Sequence, residues 1–181
     1  MHIKTDMLKK AFITASVFMM TLFSYQAAWA GACYTMREAE AEQGIRIHSE
    51  LMVIGLNCQH IYESRGKNLY RAYREFTSEH ADLFARYENI LMDHYSSAGY
   101  TKPEKKLDRL RTDYANDIAD NVARMQTKRF CAKYAPRIPR AVNYSRRDIR
   151  QWASTFYSDD PVSKPICSNR DSQTARNLSR R

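Results

Sequence analysis

The sequence predicts an all-α fold: an up-down helical bundle of three long helices and one short C-terminal helix, held by two disulfides. Two observations predict it. Apolar residues recur at steps of three and four along most of the chain, and no apolar–polar alternation is long enough to make a strand. Four cysteines, Cys33, Cys58, Cys131 and Cys167, follow a basic and then apolar leader, and an even cysteine count in an exported chain favours disulfides. The 181 residues are 44% hydrophobic and 12% aromatic, which suits one packed domain rather than global disorder. Five Gly and five Pro exclude collagen-like and loop-dominated scaffolds.

The leader comes first. Lys4, Lys9 and Lys10 precede an apolar run from Ala11 to Phe23, and small residues end it at Ala28-Trp29-Ala30. A basic start, an apolar stretch too short to span a bilayer comfortably and an A-x-A ending predict a signal peptide over residues 1–30. Cleavage there leaves 151 residues at a net charge of +7. An uncleaved anchor is the competing reading. A lipid-modified Cys33 is another, but Ala30 stands where a lipobox wants Leu, and lipidation would leave an odd number of cysteines. The bundle domain is placed at residues 31–160, and a basic tail at 161–181, ordered to about Cys167.

Thr35-Met36-Arg37-Glu38 has the form of a capping box, so the first helix is placed from Met36 to near Cys58. Its stripe is Ala41, Ile45, His48, Met52 and Gly55, with Gly44, Leu51 and Cys58 beside it. Ser64 to Asn68 reads as a turn. The second helix, Asn68 to Tyr95, carries Leu69, Tyr73, Phe76, His80, Leu83, Tyr87, Ile90 and His94 at alternating steps of four and three. Thr77-Ser78 is its expected break, because short hydroxyl side chains compete for backbone groups. Ser96 to Gly99 ends it. Thr101-Lys102-Pro103-Glu104 reads as a second capping box for the third helix, whose stripe runs from Leu107 through Leu110, Tyr114, Ile118 and Val122 to Met125. It is expected to end near Tyr134. Ser145 to Asp148 caps the short helix that presents Ile149, Trp152, Ala153 and Phe156.

Helix order restricts the disulfides. In an up-down course Cys33 and Cys167 lie at one end and Cys58 and Cys131 at the other. A disulfide needs Cα atoms about 4.4–6.8 Å apart, so of three connectivities Cys33–Cys167 with Cys58–Cys131 is favoured. Each closes a long loop, for about 3–5 kcal/mol before strain.

Two blocks of residues resemble a known family. Glu40-Ala41-Glu42-Gln43, His48 to Ile54 and Cys58 form one; Leu107 to Thr112 with Phe130-Cys131 forms the other. Together they resemble a family of small, exported bacterial helical proteins with paired cysteines and no assigned activity. The resemblance covers most of the first three helices and stops at Pro136. It implies export and the Cys58–Cys131 pair, and it carries over no catalytic residue.

Candidate chemistry is sparse. His48, His80 and His94 fall on apolar stripes and His60 follows Cys58, so inward-facing imidazoles could build a metal or haem site, with His48 and His80 the best candidates. Against it, no two histidines have i, i+3 or i, i+4 spacing, and Glu-x-x-His, HExxH and C-x-x-C-H are all absent. A packed core histidine is the expected role, and no cofactor is predicted. Glu50, Glu75, Glu79, Asp82 and Asp93 could supply a carboxylate pair for glycoside hydrolysis, but no feature raises one pair above chance. There is no G-x-S-x-G elbow and no phosphate loop, so a non-catalytic role is expected. Tyr73, Tyr87 and Tyr114 lie on core stripes; Tyr62, Tyr70, Tyr95 and Tyr100 fall near helix ends, where a tyrosine serves a ligand or simply stands exposed.

Charge is uneven. Residues 31–123 hold 12 Lys+Arg against 15 Asp+Glu, whereas residues 124–181 hold 14 against 4. Arg137, Arg140, Arg146, Arg147 and Arg150 form the expected basic surface. It would attract an anionic envelope polymer, lipid headgroups or an acidic protein; nucleic acid is a poor partner in an exporting route. The function predicted is binding or structural, at the cell envelope, in the periplasm or outside the cell. A periplasmic metal- or haem-binding protein is the alternative.

Overall fold

A computed structural model describes residues 32–63, 68–158 and 160–168. The predicted signal peptide, the turn residues 64–67 and residues 169–181 of the tail lie outside these. Seven helical segments make up the described fold: α1 (Met36–Glu63), α2 (Leu69–Glu79), α3 (Ala81–Ser97), α4 (Pro103–Met125), α5 (Thr127–Tyr134), α6 (Arg137–Ala141) and α7 (Arg146–Ala153). Among the described residues the only β pairing is two isolated bridges, so the all-α class is observed.

Three long helices were expected, and the long ones are divided more finely. The second breaks at His80 (φ −109°, ψ 21°), not at Thr77-Ser78. Thr77 instead turns its hydroxyl back on the Arg74 carbonyl, while the His80 ring donates from Nε2 to the Tyr144 carbonyl and ties the break to the α6–α7 connection. The third breaks at Gln126 (φ 65°, ψ 141°), in the left-handed half of conformational space where a side chain is strained. That break lets α5 turn Phe130 and Cys131 into the core, both fully buried.

Local signals account for most helix ends. Thr35 and Glu38 form the expected capping box: the Glu38 N–H donates to Thr35 Oγ1 (3.3 Å), and the Thr35 N–H donates to Glu38 Oε2 (2.6 Å). Asn68 caps α2 and Ser145 caps α7 with a reciprocal Asp148. α3 ends in a Schellman turn: Gly99 takes φ 85°, its N–H reaches the Ser96 carbonyl, and the Tyr100 N–H reaches Tyr95. The second box does not form. Pro103 occupies the first helical position, which makes Lys102 the cap and leaves Thr101 outside.

α1 touches all six other helices. One buried stripe was expected for it, but Ala39, Ala41, Ile45, Ile47, Leu51, Val53, Ile54 and Cys58 are buried around its whole circumference. One close approach is at Gly44. A Cβ there would lie 2.3 Å from two ring carbons of Tyr87 on α3, so the ring sits directly on the bare backbone. Gly44→Ala is expected to cost about 1–3 kcal/mol despite its better helix propensity, because the body of a packed ring must move. Gly55→Ala, whose added carbon meets its nearest neighbour at 3.4 Å, should be near neutral. Urea unfolding of both variants checks the contrast.

Both disulfides are present. Cys33–Cys167 and Cys58–Cys131 have Cα separations of 5.1 and 5.5 Å, the pairing favoured by helix order. The first anchors residues 160–168, which run as a strap along the N-terminal half of α1. Tyr34 and Ile166 form a parallel bridge: the Tyr34 N–H donates to the Pro165 carbonyl, and the Cys167 N–H donates to Tyr34 (both 2.8 Å).

Candidate functional site

A helix buried on all sides must also satisfy its polar side chains internally. α1 does so with groups from distant segments. Glu42 is 0% exposed; it accepts from the Tyr114 hydroxyl (2.5 Å) and from the Ser163 N–H and hydroxyl (2.5 and 2.6 Å). Burial, and then the nearby Glu42 carboxyl, holds the Tyr34 and Tyr114 phenols well above the ordinary tyrosine range. Glu40 accepts from Tyr87 (3.0 Å) and from two guanidinium nitrogens of Arg150 (2.8 and 3.2 Å). Burial alone would raise its pKa, but the hydrogen bonds from Arg150 and Tyr87 outweigh this and hold it low. Glu38 takes a hydrogen bond from His94 Nδ1 (3.0 Å), and His94 Nε2 accepts from Lys164 of the strap (2.9 Å).

The predicted histidines have similar packed roles. His48 lies edge-on to Phe84 and Tyr73, with Nε2 3.3 Å from the Tyr73 hydroxyl; burial pushes its pKa down. His80 packs edge-on to Phe76. Phe76 and Phe84 are themselves in contact and stand between the two imidazoles. Among the described residues no group of three or more His, Cys, Asp or Glu side chains is placed to hold a metal ion. Tyr95, expected near a helix end, is buried, with its hydroxyl 3.5 Å from that of Tyr34.

The five arginines of the expected basic surface are dispersed. Arg150 pairs with Glu40, Arg137 with Glu50 (2.8 Å) and Arg146 with Asp82. The basic C-terminal third thus neutralises part of the acidic N-terminal two-thirds within the same molecule. Arg147 and Arg140 are exposed, and the Arg140 guanidinium has no ion pair or hydrogen bond among the described residues. Glu75 pairs with Arg71 on the surface of α2.

A cleft of about 450 Å³ opens where α1, α6, α7 and the approach to the strap meet. α1 contributes Gln43, Arg46, Ile47 and Glu50, and α6 contributes Arg137 and Arg140. Tyr144, Trp152, Thr155, Tyr157 and Asp160 complete the lining. Arg46 is fixed as a wall: its guanidinium lies 4.5 Å over the Tyr114 ring, pairs with Asp160 (3.1 Å) and donates to the Pro161 carbonyl (2.6 Å). Gln43 donates to the Asp160 carbonyl (3.0 Å). Burial raises the Glu50 pKa, and the opposing Arg137 only partly offsets it.

Glu50, Arg137 and Arg140 were each visible as charged candidates, and Trp152 as part of an apolar face. Their convergence was not, because the α1 residues of the lining stand 87 to 117 positions from the others and no local spacing reports it. Compared with protein-family models, with curated proteins and with solved structures, the chain matches none.

Proposed function

We propose that the protein is an exported, non-catalytic binding protein of the cell envelope, and that it holds an anionic ligand through the basic C-terminal third, at the cleft between α1, α6 and α7. The observation that carries this is Arg140. It is an exposed guanidinium lining the cleft, free of acidic partners among the described residues, whereas Arg46 and Arg137 are matched by Asp160 and Glu50, so the lining carries one uncompensated positive charge. Two disulfides are compatible with an oxidising compartment, and among the described residues no helix is long and apolar enough to cross a membrane. The same two bonds support an up-down course of the long helices, with one cysteine pair at each end.

Co-sedimentation of the purified protein with isolated cell-envelope material, at low and at raised salt, tests the reading. Arg140→Glu should weaken association about fivefold at low salt, and the difference should shrink as salt screens it. Association indifferent to both salt and Arg140→Glu would overturn the proposal. Removing the chain from Asp159 onward is unsuitable as a test, since it strips Ser163 from Glu42 and Cys167 from Cys33.

A further inference from the structure

We infer that the ligand of this cleft is an acidic oligosaccharide, a short chain of uronic-acid-type sugars; the inference rests on the anion-binding reading above. The cleft holds three kinds of group, and one ligand chemistry satisfies them together. Arg140 offers free forked N–H donors that match a carboxylate, and Arg137, whose Nη1 is held by Glu50 (2.8 Å), keeps further N–H donors beside it. Glu50 and Asp160 lie within the same lining and can only accept when ionised. Each already takes one arginine N–H, Glu50 from Arg137 and Asp160 from Arg46, and a densely charged polyanion such as polyphosphate brings no donors for their remaining lone pairs and is repelled by them. A sugar ring brings several hydroxyl donors with one negative charge.

The aromatic side chains supply the third requirement. Trp152 and Tyr144 meet nearly perpendicular (86°, centroids 5.8 Å apart), which leaves the two ring faces turned in different directions. Tyr157 is 56% exposed at the cleft. A pyranose ring has C–H faces that pack on such rings and edge hydroxyls that reach the polar groups beside them. An acyl chain would use the rings but would bury the Arg140 guanidinium without a counter-ion and desolvate the Arg137–Glu50 and Arg46–Asp160 pairs. The volume of about 450 Å³ falls in the range of small-ligand sites, roughly 300–1,000 Å³.

The test is isothermal titration of the disulfide-intact full protein with trigalacturonic acid, its methyl ester and tripolyphosphate. Saturable binding of the acid is expected, with the ester and tripolyphosphate each at least about tenfold weaker. Trp152→Ala should weaken binding of the acid by about tenfold, and so should the exposed substitutions Tyr157→Ala and Arg140→Gln together. The exposed pair keeps the test decisive if loss of the half-buried Trp152 disturbs folding. Tripolyphosphate binding as tightly as the trisaccharide would overturn the sugar assignment and leave the anion reading standing. Equal binding of acid and ester would overturn both. Absence of binding by all three would overturn the oligosaccharide inference, while salt-sensitive envelope association would still uphold the reading beneath it.

Discussion

Glu42→Leu is expected to remove about 3–5 kcal/mol of folding stability, the largest effect of any single substitution considered. The side chain is fully buried, and three donors converge on it: the Tyr114 hydroxyl and the N–H and hydroxyl of Ser163. Leucine fills a comparable volume but accepts nothing, so the donors would be left in a desolvated space. The cost lies in the orphaned donors rather than in lost attraction. Glu42→Gln keeps one acceptor oxygen and should recover about half of the loss. Guanidinium unfolding followed by far-UV circular dichroism, with both disulfides intact, measures it. A loss below about 1 kcal/mol for the leucine variant would mean that the strap does not need this carboxyl group.

Cys58→Ala with Cys131→Ala should cost about 2–5 kcal/mol. The bond spans a sequence separation of 73 and fastens α5, which follows the strained Gln126, to the far half of the central helix. Without it the unfolded chain regains the entropy of an open loop. Both cysteines are fully buried, so alanine also leaves a small void in the core. The outer pair, Cys33→Ala with Cys167→Ala, spans a separation of 134 but should cost less than its loop length suggests. Backbone hydrogen bonds to Tyr34, the Ser163 contacts on Glu42 and the Arg46–Pro161 contact continue to hold the strap. Denaturant midpoints of the two double variants give the comparison; a larger loss for the outer pair would reverse this order.

Legibility in the sequence followed the range of the interactions. Thr35, Gly99 and Ser145 end or begin helices through bonds to residues one turn away, and each was visible as a local pattern. The cysteine pairs were accessible because helix order alone limits which ends meet. What stayed hidden was the inside of α1. Glu38, Glu40 and Glu42 alternate with alanines, and charged residues on a helix ordinarily mark its solvated face. Glu40 and Glu42 are interior here, and Glu38 half-buried, because His94, Tyr87, Tyr114, Arg150 and Ser163 come to meet them from 47 to 121 residues away. The break at Gln126 was equally silent, since neither Gly nor Pro marks it. The cleft combines both difficulties: its charges were noticed singly, and its shape exists only once α6 and α7 pack beside α1.

The two disulfides are nested, with 58–131 lying inside 33–167. For a chain delivered to an oxidising space N-terminus first, this imposes a sequence of events. The inner ring can close once residue 131 has emerged, while Cys33, the first cysteine to arrive, must wait for Cys167, the last. During that interval Cys33 is a lone thiol able to pair wrongly, and a chain cut short before Cys167 can never complete the outer ring. Closure of that ring therefore marks delivery of the chain as far as the strap.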